Sequence, residues 1–299
     1  METHSAYKSW MDGIPYELAF WNNIYRWDST FEGLRRWSRL GRELELEGMD
    51  VQQYLADYEH PIVLDVGCGM SFAKGSLRRT PDGLQPLDIR YIDPLAPFYN
   101  AIRRRHHRDM PDVEFGMMEH LAAVVAPGTV HLVIIQNALD HSADPLRGIL
   151  SALDVLAVGG CLYLNHHPDE AETEHYKGFH KFNICTDEQR RCIIWNKDGR
   201  TVVDDIVAPF ATIETQTLSN GFVVSLLRKT APLPSDIAAS MATSGALATM
   251  LMEQMADSFS LGSVCRRKLS YWWYNAIQFF VQALPPQTRK RLRRLVYGK

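Results

Sequence analysis

The chain has 299 residues, 46% of them apolar, and a formal net charge of −3 from 32 basic and 35 acidic side chains. That is long for one minimal domain, short for two large ones, and apolar enough for a substantial buried core. The charge total excludes a broad polyanion-binding surface, and five cysteines without a CxxC pair exclude a disulfide framework and fit a reducing cytoplasm.

Taken in chain order, residues 12–60 are expected to be helical. "PYELAFWNNIYRW" spaces Leu18, Phe20, Trp21, Ile24, Tyr25 and Trp27 into an apolar face, and "FEGLRRWSRLGRELELEG" places Phe31, Leu34, Trp37 and Leu40 inward. Alternating units follow. "PIVLDV" and "IRYIDP" are strands, "FYNAIRRRHH" a helix, "VEFGM" a short strand and "VHLVIIQNA" a buried one. "DPLRGILSALDVLAVGG" is a helix ending on a glycine pair, and "CLYLNHH" is again a strand. "ATIETQTLSNGFVVSLLRKT" is a terminal hairpin turning at Asn220-Gly221. This alternation predicts an α/β fold with a Rossmann-like, mostly parallel sheet covered on both faces and an antiparallel edge. The expected division is 1–60 as an N-terminal helical cap, 61–230 as the α/β domain, and 231–299 as a helical extension.

The first strand runs into "VLDVGCGMSFAKG". In an open α/β sheet, ligands sit at the carboxyl ends of the strands, where helices begin. Gly67 and Gly69 let the backbone close on a ligand there. Asp65, at the strand tip, can orient the loop or reach an ammonium group. Asp93, at the tip of the next strand, is placed to accept both hydroxyls of a ribose. A dinucleotide fingerprint would read G-x-G-x-x-G/A, but Phe72 holds the third position, where it would obstruct helix–strand packing. An acid ahead of the glycines suits a cationic ligand better than a pyrophosphate. S-adenosylmethionine, with an ammonium, a sulfonium, a ribose and no phosphate, fits.

These segments together resemble class I SAM-dependent methyltransferases of the small-molecule branch. "VLDVGCGMS" is similar to their first motif, with Ser71 in place of the last glycine, and "YIDP" to the acidic second motif. "EFGMMEHL" resembles the adenine-lining segment, and "VHLVIIQNALDHSADPLRGILSALDVLAVGGCLYL" the fourth strand, helix and glycine turn. The resemblance spans 61–229. It implies S-adenosyl-L-methionine as cofactor, bound by Asp65, Gly67, Gly69, Asp93, Pro94, Met118, Glu119 and Asn137. It also implies a class I methyltransferase sheet with an antiparallel terminal hairpin. In two places the chain departs from the pattern. Met117 and Met118 stand where many members carry acids that read the adenine, and His131 opens a strand that many members open with an acid.

The fourth and fifth strand tips would face the transferred methyl. "NHHPDEAETEHYKGFHKFN" follows the fifth, dense in histidines and acids. O-methylation requires that a hydroxyl lose its proton as the sulfonium is attacked, and histidine titrates near working pH. His141, His166, His167 and His180 are therefore the catalytic candidates, against the plainer reading of a solvated loop. No metal is expected, since adjacent His166 and His167 point to opposite faces of a strand. "RRRHHR" at 103–108 reads as the wet face of a helix. Trp21 and Trp27 read either as a cover over the cofactor or as core.

After Asp257 no acid occurs, while nine basic residues do, so the rest of the chain is net acidic. Trp272, Trp273, Ile277, Phe279, Phe280, Val281 and Leu284 are bracketed by basic clusters, the pattern of an interfacial helix at an anionic bilayer. Packing on the domain or in a homo-oligomer is the alternative, and the acidic body disfavours nucleic acid as a partner. Pro285-Pro286 is expected to break the helix, and a second basic helix can follow. No signal-peptide pattern and no stretch of roughly 18 apolar residues is present, so a cytoplasmic protein is expected, peripheral on the inner membrane face if the tail engages lipid. The functional expectation is an O-methyltransferase acting on a small-molecule or glycan acceptor, including a lipid-linked or surface-polysaccharide intermediate. Two alternatives stand beside it, a degenerate methyltransferase fold acting as a scaffold and a nicotinamide-dependent oxidoreductase.

Overall fold

The structure, a computed structural model, describes residues 10–31, 38–106, 110–242, 261–285, 287–289 and 291. Helix α1 (Ile14–Phe31) opens the chain, followed by α2 (Val51–Ala56), whose first turn is capped by Asp50 accepting from the Gln53 amide at 3.0 Å. Strand β1 (Ile62–Val66) is next, then β2 (Leu77–Thr80), β3 (Gly83–Pro86), β4 (Asp88–Asp93) and helix α3 (Ala96–Arg105). β5 (Glu114–Phe115) leads through a 3₁₀ turn (Met118–Ala123) into β6 (Val130–Gln136), and a second 3₁₀ turn (Leu139–His141) leads to α4 (Pro145–Val155). The chain continues through β7 (Leu156–His166), α5 (Glu170–Thr173), β8 (Asn183–Thr186), β9 (Cys192–Trp195), β10 (Arg200–Val202), α6 (Val203–Val207), β11 (Ala211–Thr217) and β12 (Val223–Lys229). Helices α7 (Ser235–Ala242) and α8 (Leu261–Ala283) follow among the described residues.

Seven strands form the central sheet in the order β11-β12-β7-β6-β1-β4-β5. β1 pairs in parallel with β4 on one side and β6 on the other, so the order reverses at β1 and opens a crevice at the carboxyl ends of these strands. β12 runs antiparallel to both β7 and β11. The antiparallel strand is thus one place in from the border, and β11 forms the edge that the sequence assigned to an antiparallel strand. Strand alternation divides the core by face. Leu64, Val66, Val133 and Ile135 pack with Ile149 and Leu153 of α4, while Val63, Leu132, Ile134 and Tyr163 pack with Leu44, Leu46 and Leu55.

Two local expectations are corrected. Residues 38–49 are not helical; they make bridges from Ser38 to Phe72 and from Glu43 to Leu77, and their leucines fill the sheet's underside. The helix expected to run to the glycine pair stops at Val155, because Leu156 extends and pairs with Val130, which puts Gly159 and Gly160 inside β7. After the glycine loop comes the β2–β3 hairpin. β8, β9 and β10 form a separate three-stranded sheet after the histidine-rich segment. Residues 32–37, and with them Leu34 and Trp37, lie outside the described residues, as does most of the basic end after Pro285.

Candidate active site

A cavity of about 480 Å³ lies at the carboxyl ends of β1, β4, β6 and β7, with α1 across it. Its first end is built from backbone. Gly67 and Gly69 both have positive φ, +66° and +58°. A Cβ on Gly67 would lie 2.5 Å from Ala138 Cβ, and one on Gly69 would lie 2.9 Å from the Trp21 ring. Both glycines are therefore required by conformation and by space. Asp93 is 6% exposed; its Oδ2 accepts from the Gly69 amide at 3.0 Å and its Oδ1 from Leu95 at 2.8 Å. Burial pushes its pKa up to about 7, partly offset by those two amides. Each carboxylate oxygen keeps a lone pair beyond its amide bond. Pro94, Met117, Met118 and Asn137 line the same end, with Asn137 itself in a left-handed conformation at φ 48°.

Asp65 does not line the cavity. It is buried behind the loop with both oxygens 2.9 Å from Lys74 Nζ, so the ammonium beside it belongs to this chain. Burial raises the Asp65 pKa and Lys74 works against that rise. Lys74 does line the cavity. Glu119 lines it too, but its Oε1 accepts from Ala143 and Asp144 at 2.8 and 3.3 Å, holding the start of α4. Trp21 covers Gly69, with its Nε1 donating to Glu17 at 2.7 Å, while Trp27 packs away from the cavity against Phe279 of α8.

The other end is built from side chains. Asp140 Oδ2 lies 2.8 Å from His180 Nδ1 and 3.5 Å from His141 Nε2, and those two ring nitrogens are 3.1 Å apart. Burial alone would raise the Asp140 pKa, yet the two histidines hold it down to about 2. Burial lowers that of His180, and Asp140 more than reverses this, leaving it above the usual value. The short contact to Asp140 places the proton on His180 Nδ1 and leaves Nε2 as the basic nitrogen. The three donor atoms lie within 4.8 Å of one another, a spacing that a divalent cation could also use, and one that arguing from adjacent histidines did not reveal. Glu170, whose pKa is raised by burial and then by the charge of Asp140, completes the wall with Glu174, Phe179 and Tyr16.

The four histidine candidates therefore separate. His141 and His180 meet at Asp140. His167 sits at the rim, its ring 4.0 Å from that of Phe222. His166 is 2% exposed, does not line the cavity, and has neither ring nitrogen hydrogen-bonded; burial takes its pKa down to about 4. Sequence reasoning missed Lys74, Glu17 and the pairing of Asp140 with His180. A lysine nine positions after Asp65 in a tight loop was the available signal for the first. The last pair is separated by 40 residues and an irregular segment, and carried none.

No family model and no curated protein matches the chain. Among solved structures it is similar to a candidate S-adenosyl-L-methionine-dependent methyltransferase of Methanococcus maripaludis, with 12% identity and a TM-score of 0.43 over 73% of this chain and 95% of the other. It is also similar to a SAM-dependent methyltransferase of Methanosarcina mazei (14%, 0.35, 62% and 100%). A third likeness is to the T. thermophilus 16S rRNA N2 G1207 methyltransferase in complex with AdoMet and guanosine (14%, 0.34, 66% and 43%).

Proposed function

We propose that this protein transfers a methyl group from S-adenosyl-L-methionine to a protic oxygen of a polar acceptor. The observation that carries this is one cavity with two chemically distinct ends: a glycine cradle with a buried carboxylate, and a carboxylate-held imidazole. The cofactor, when bound, supplies an electrophilic methyl on a sulfonium. Asp93 would accept the ribose hydroxyls with the lone pairs its amides leave free. Met117 and Met118 offer a polarizable apolar wall for the adenine. Lys74, already neutralised by Asp65, can turn a remaining N–H to the amino-acid carboxylate.

At the far end, Asp140 fixes the His180 ring and stabilises the imidazolium that forms as Nε2 takes the acceptor's proton, with His141 packed against the pair. A base whose pKa lies above the ordinary histidine value is matched to a hydroxyl that acidifies only as it attacks. Glu170 and Glu174 add acceptors for neighbouring hydroxyls, which favours a sugar-like or polyhydroxylated small molecule over an anionic one.

The oxidoreductase alternative loses support from the fold. Among the described residues no helix begins within 67–76, so the glycines do not present a pyrophosphate to a helix N-terminus. The test is calorimetric titration with S-adenosylhomocysteine, with NADH as control, followed by methyl transfer to hydroxylated acceptors, glycans first. Silent titration with both ligands would leave the scaffold reading in its place. Methyl transfer that survives exhaustive chelation is expected from the imidazole route; transfer lost to chelator and restored by a divalent cation would assign the Asp140 cluster to a metal.

A further inference from the structure

Helix α8 shows opposite characters on its two sides. One side is fixed to α1: the Tyr274 and Tyr16 rings meet edge to face at 5.4 Å, Asn275 Oδ1 accepts from Asn22 and Asn23 at 3.0 and 2.9 Å, and Phe279 packs on Trp27. The other side presents Leu269, Trp272, Trp273, Ile277, Phe280 and Val281, of which the two tryptophans are 71% and 67% exposed and Phe280 69%. Their spacing by three and four residues makes one continuous stripe. A stripe of two tryptophans and four other large apolar side chains is not an ordinary solvent-facing surface.

Charge identifies what covers it. From Asp257 onward the sequence has no further acid, and in sequence Arg266, Arg267 and Lys268 precede the stripe while Arg289, Lys290 and Arg291 follow it. Lys268 and Arg291 are exposed. A second copy pairing this face two-fold would set the basic cluster at one end against the basic cluster at the other, like against like. An anionic bilayer meets both needs, taking the aromatic rings at headgroup depth and the bases at the phosphates. Because α1 holds one side of α8 from Tyr274 to Phe279, the opposite face is the one turned to a bilayer, side-on. Among the described residues no helix is long and apolar enough to cross a membrane.

We propose that the exposed face of α8 docks this protein side-on to an anionic lipid bilayer. The docking does not depend on the chemistry in the cavity. The order is then lipid, α8, α1 and cavity, since Glu17, Phe20 and Trp21 of α1 line the cavity while Tyr16 of the same helix meets Tyr274.

The test is co-sedimentation of the full chain with vesicles of phosphatidylglycerol and phosphatidylcholine in equal parts, against phosphatidylcholine alone. Binding to the anionic vesicles is expected to weaken as salt rises from about 0.1 M towards 1 M, where screening shortens to about 3 Å. The triple variant Trp272→Ser, Trp273→Ser and Phe280→Ser should lose at least about tenfold in partitioning with an unchanged melting curve, since these side chains are exposed. If that variant fails to fold, Arg289→Glu with Arg291→Glu makes the same test from the charge side. Wild-type protein that ignores anionic vesicles would overturn the proposal, as would a folded variant that binds them equally well. A lipid-free dimer that the triple variant dissociates in sedimentation velocity would overturn it in favour of a second copy.

Discussion

The two ends of the cavity are made differently. The end with Gly67, Gly69 and Asp93 is set by backbone: two positive φ values, two amides on one carboxylate, and a strand order that opens the sheet at β1. The end with Asp140, His141 and His180 is set by side chains carried on a 3₁₀ turn and an irregular segment, and held by contacts across about forty residues of chain. An end defined by backbone leaves a local mark in the sequence. An end defined by distant side chains leaves composition and little else. Substitutions should separate the two, with binding lost at one end and turnover at the other.

The largest effect is expected at Gly67. Gly67→Val adds a Cβ into Ala138 at a φ that β-branched residues avoid, and should abolish S-adenosylhomocysteine binding while costing about 3 kcal/mol or more of stability. Calorimetry and a thermal melt read the two parts. Next is the buried ion pair. Lys74→Met leaves Asp65 charged and unpaired, at about 3–5 kcal/mol. The sign with pH follows from the raised Asp65 pKa: the loss is full where the carboxyl is ionised and shrinks as acid neutralises it. Melts of Lys74→Met that lag wild type equally at all pH would break this part of the account.

His180→Ala should spare cofactor affinity within about twofold and lower methyl transfer by about 10²–10⁴, the usual range for a lost general base. Asp93→Ala should do the converse first, weakening S-adenosylhomocysteine by about tenfold or more, as expected for lost charge-assisted hydrogen bonds. The pH dependence belongs to the same end. With a pKa near 7, Asp93 is partly protonated at neutrality and can then accept fewer hydrogen bonds. Cofactor affinity should rise from pH 6 to pH 8, by about tenfold at most, and binding at pH 7 should release protons, visible as a buffer-dependent heat. The smallest effect is at His166. His166→Leu removes an imidazole with no hydrogen bonds, and should change stability by about 1 kcal/mol or less and leave transfer intact.

The legible parts of the fold were those with a short-range signature. β1, β6 and β12 are largely apolar runs bounded by turn residues, β4 is marked by Tyr91-Ile92 ahead of Asp93-Pro94, and α4 is announced by Asp144-Pro145, with Asp144 capping the Arg147 amide at 3.0 Å. The misread parts were those where tertiary pairing decides. "LGRELELEG" has helical spacing, yet Glu43 and Leu44 lie against Leu77, and the leucines gain more by filling the underside of the sheet than by forming an isolated helix. "LAVGG" suits helix or strand, and its pairing to Val130 settled it. In the site, Gly67, Gly69 and Asp93 carry a local mark at their strand tips, which the resemblance sharpened, and all three line the cavity. The choice among four histidines carries no such mark, because only the three-dimensional path of 139–180 brings His141 and His180 to Asp140 and leaves His166 inside the wall.

Binding of an adenosyl amino acid at the glycine end through Asp93 is tested by calorimetric titration of wild type, Asp93→Ala and His180→Ala with S-adenosylhomocysteine, beside NADH. Wild type and His180→Ala should bind, Asp93→Ala should bind more weakly, and NADH should be silent. Asp93→Ala binding as tightly as wild type, or NADH binding in place of the nucleoside, would contradict it.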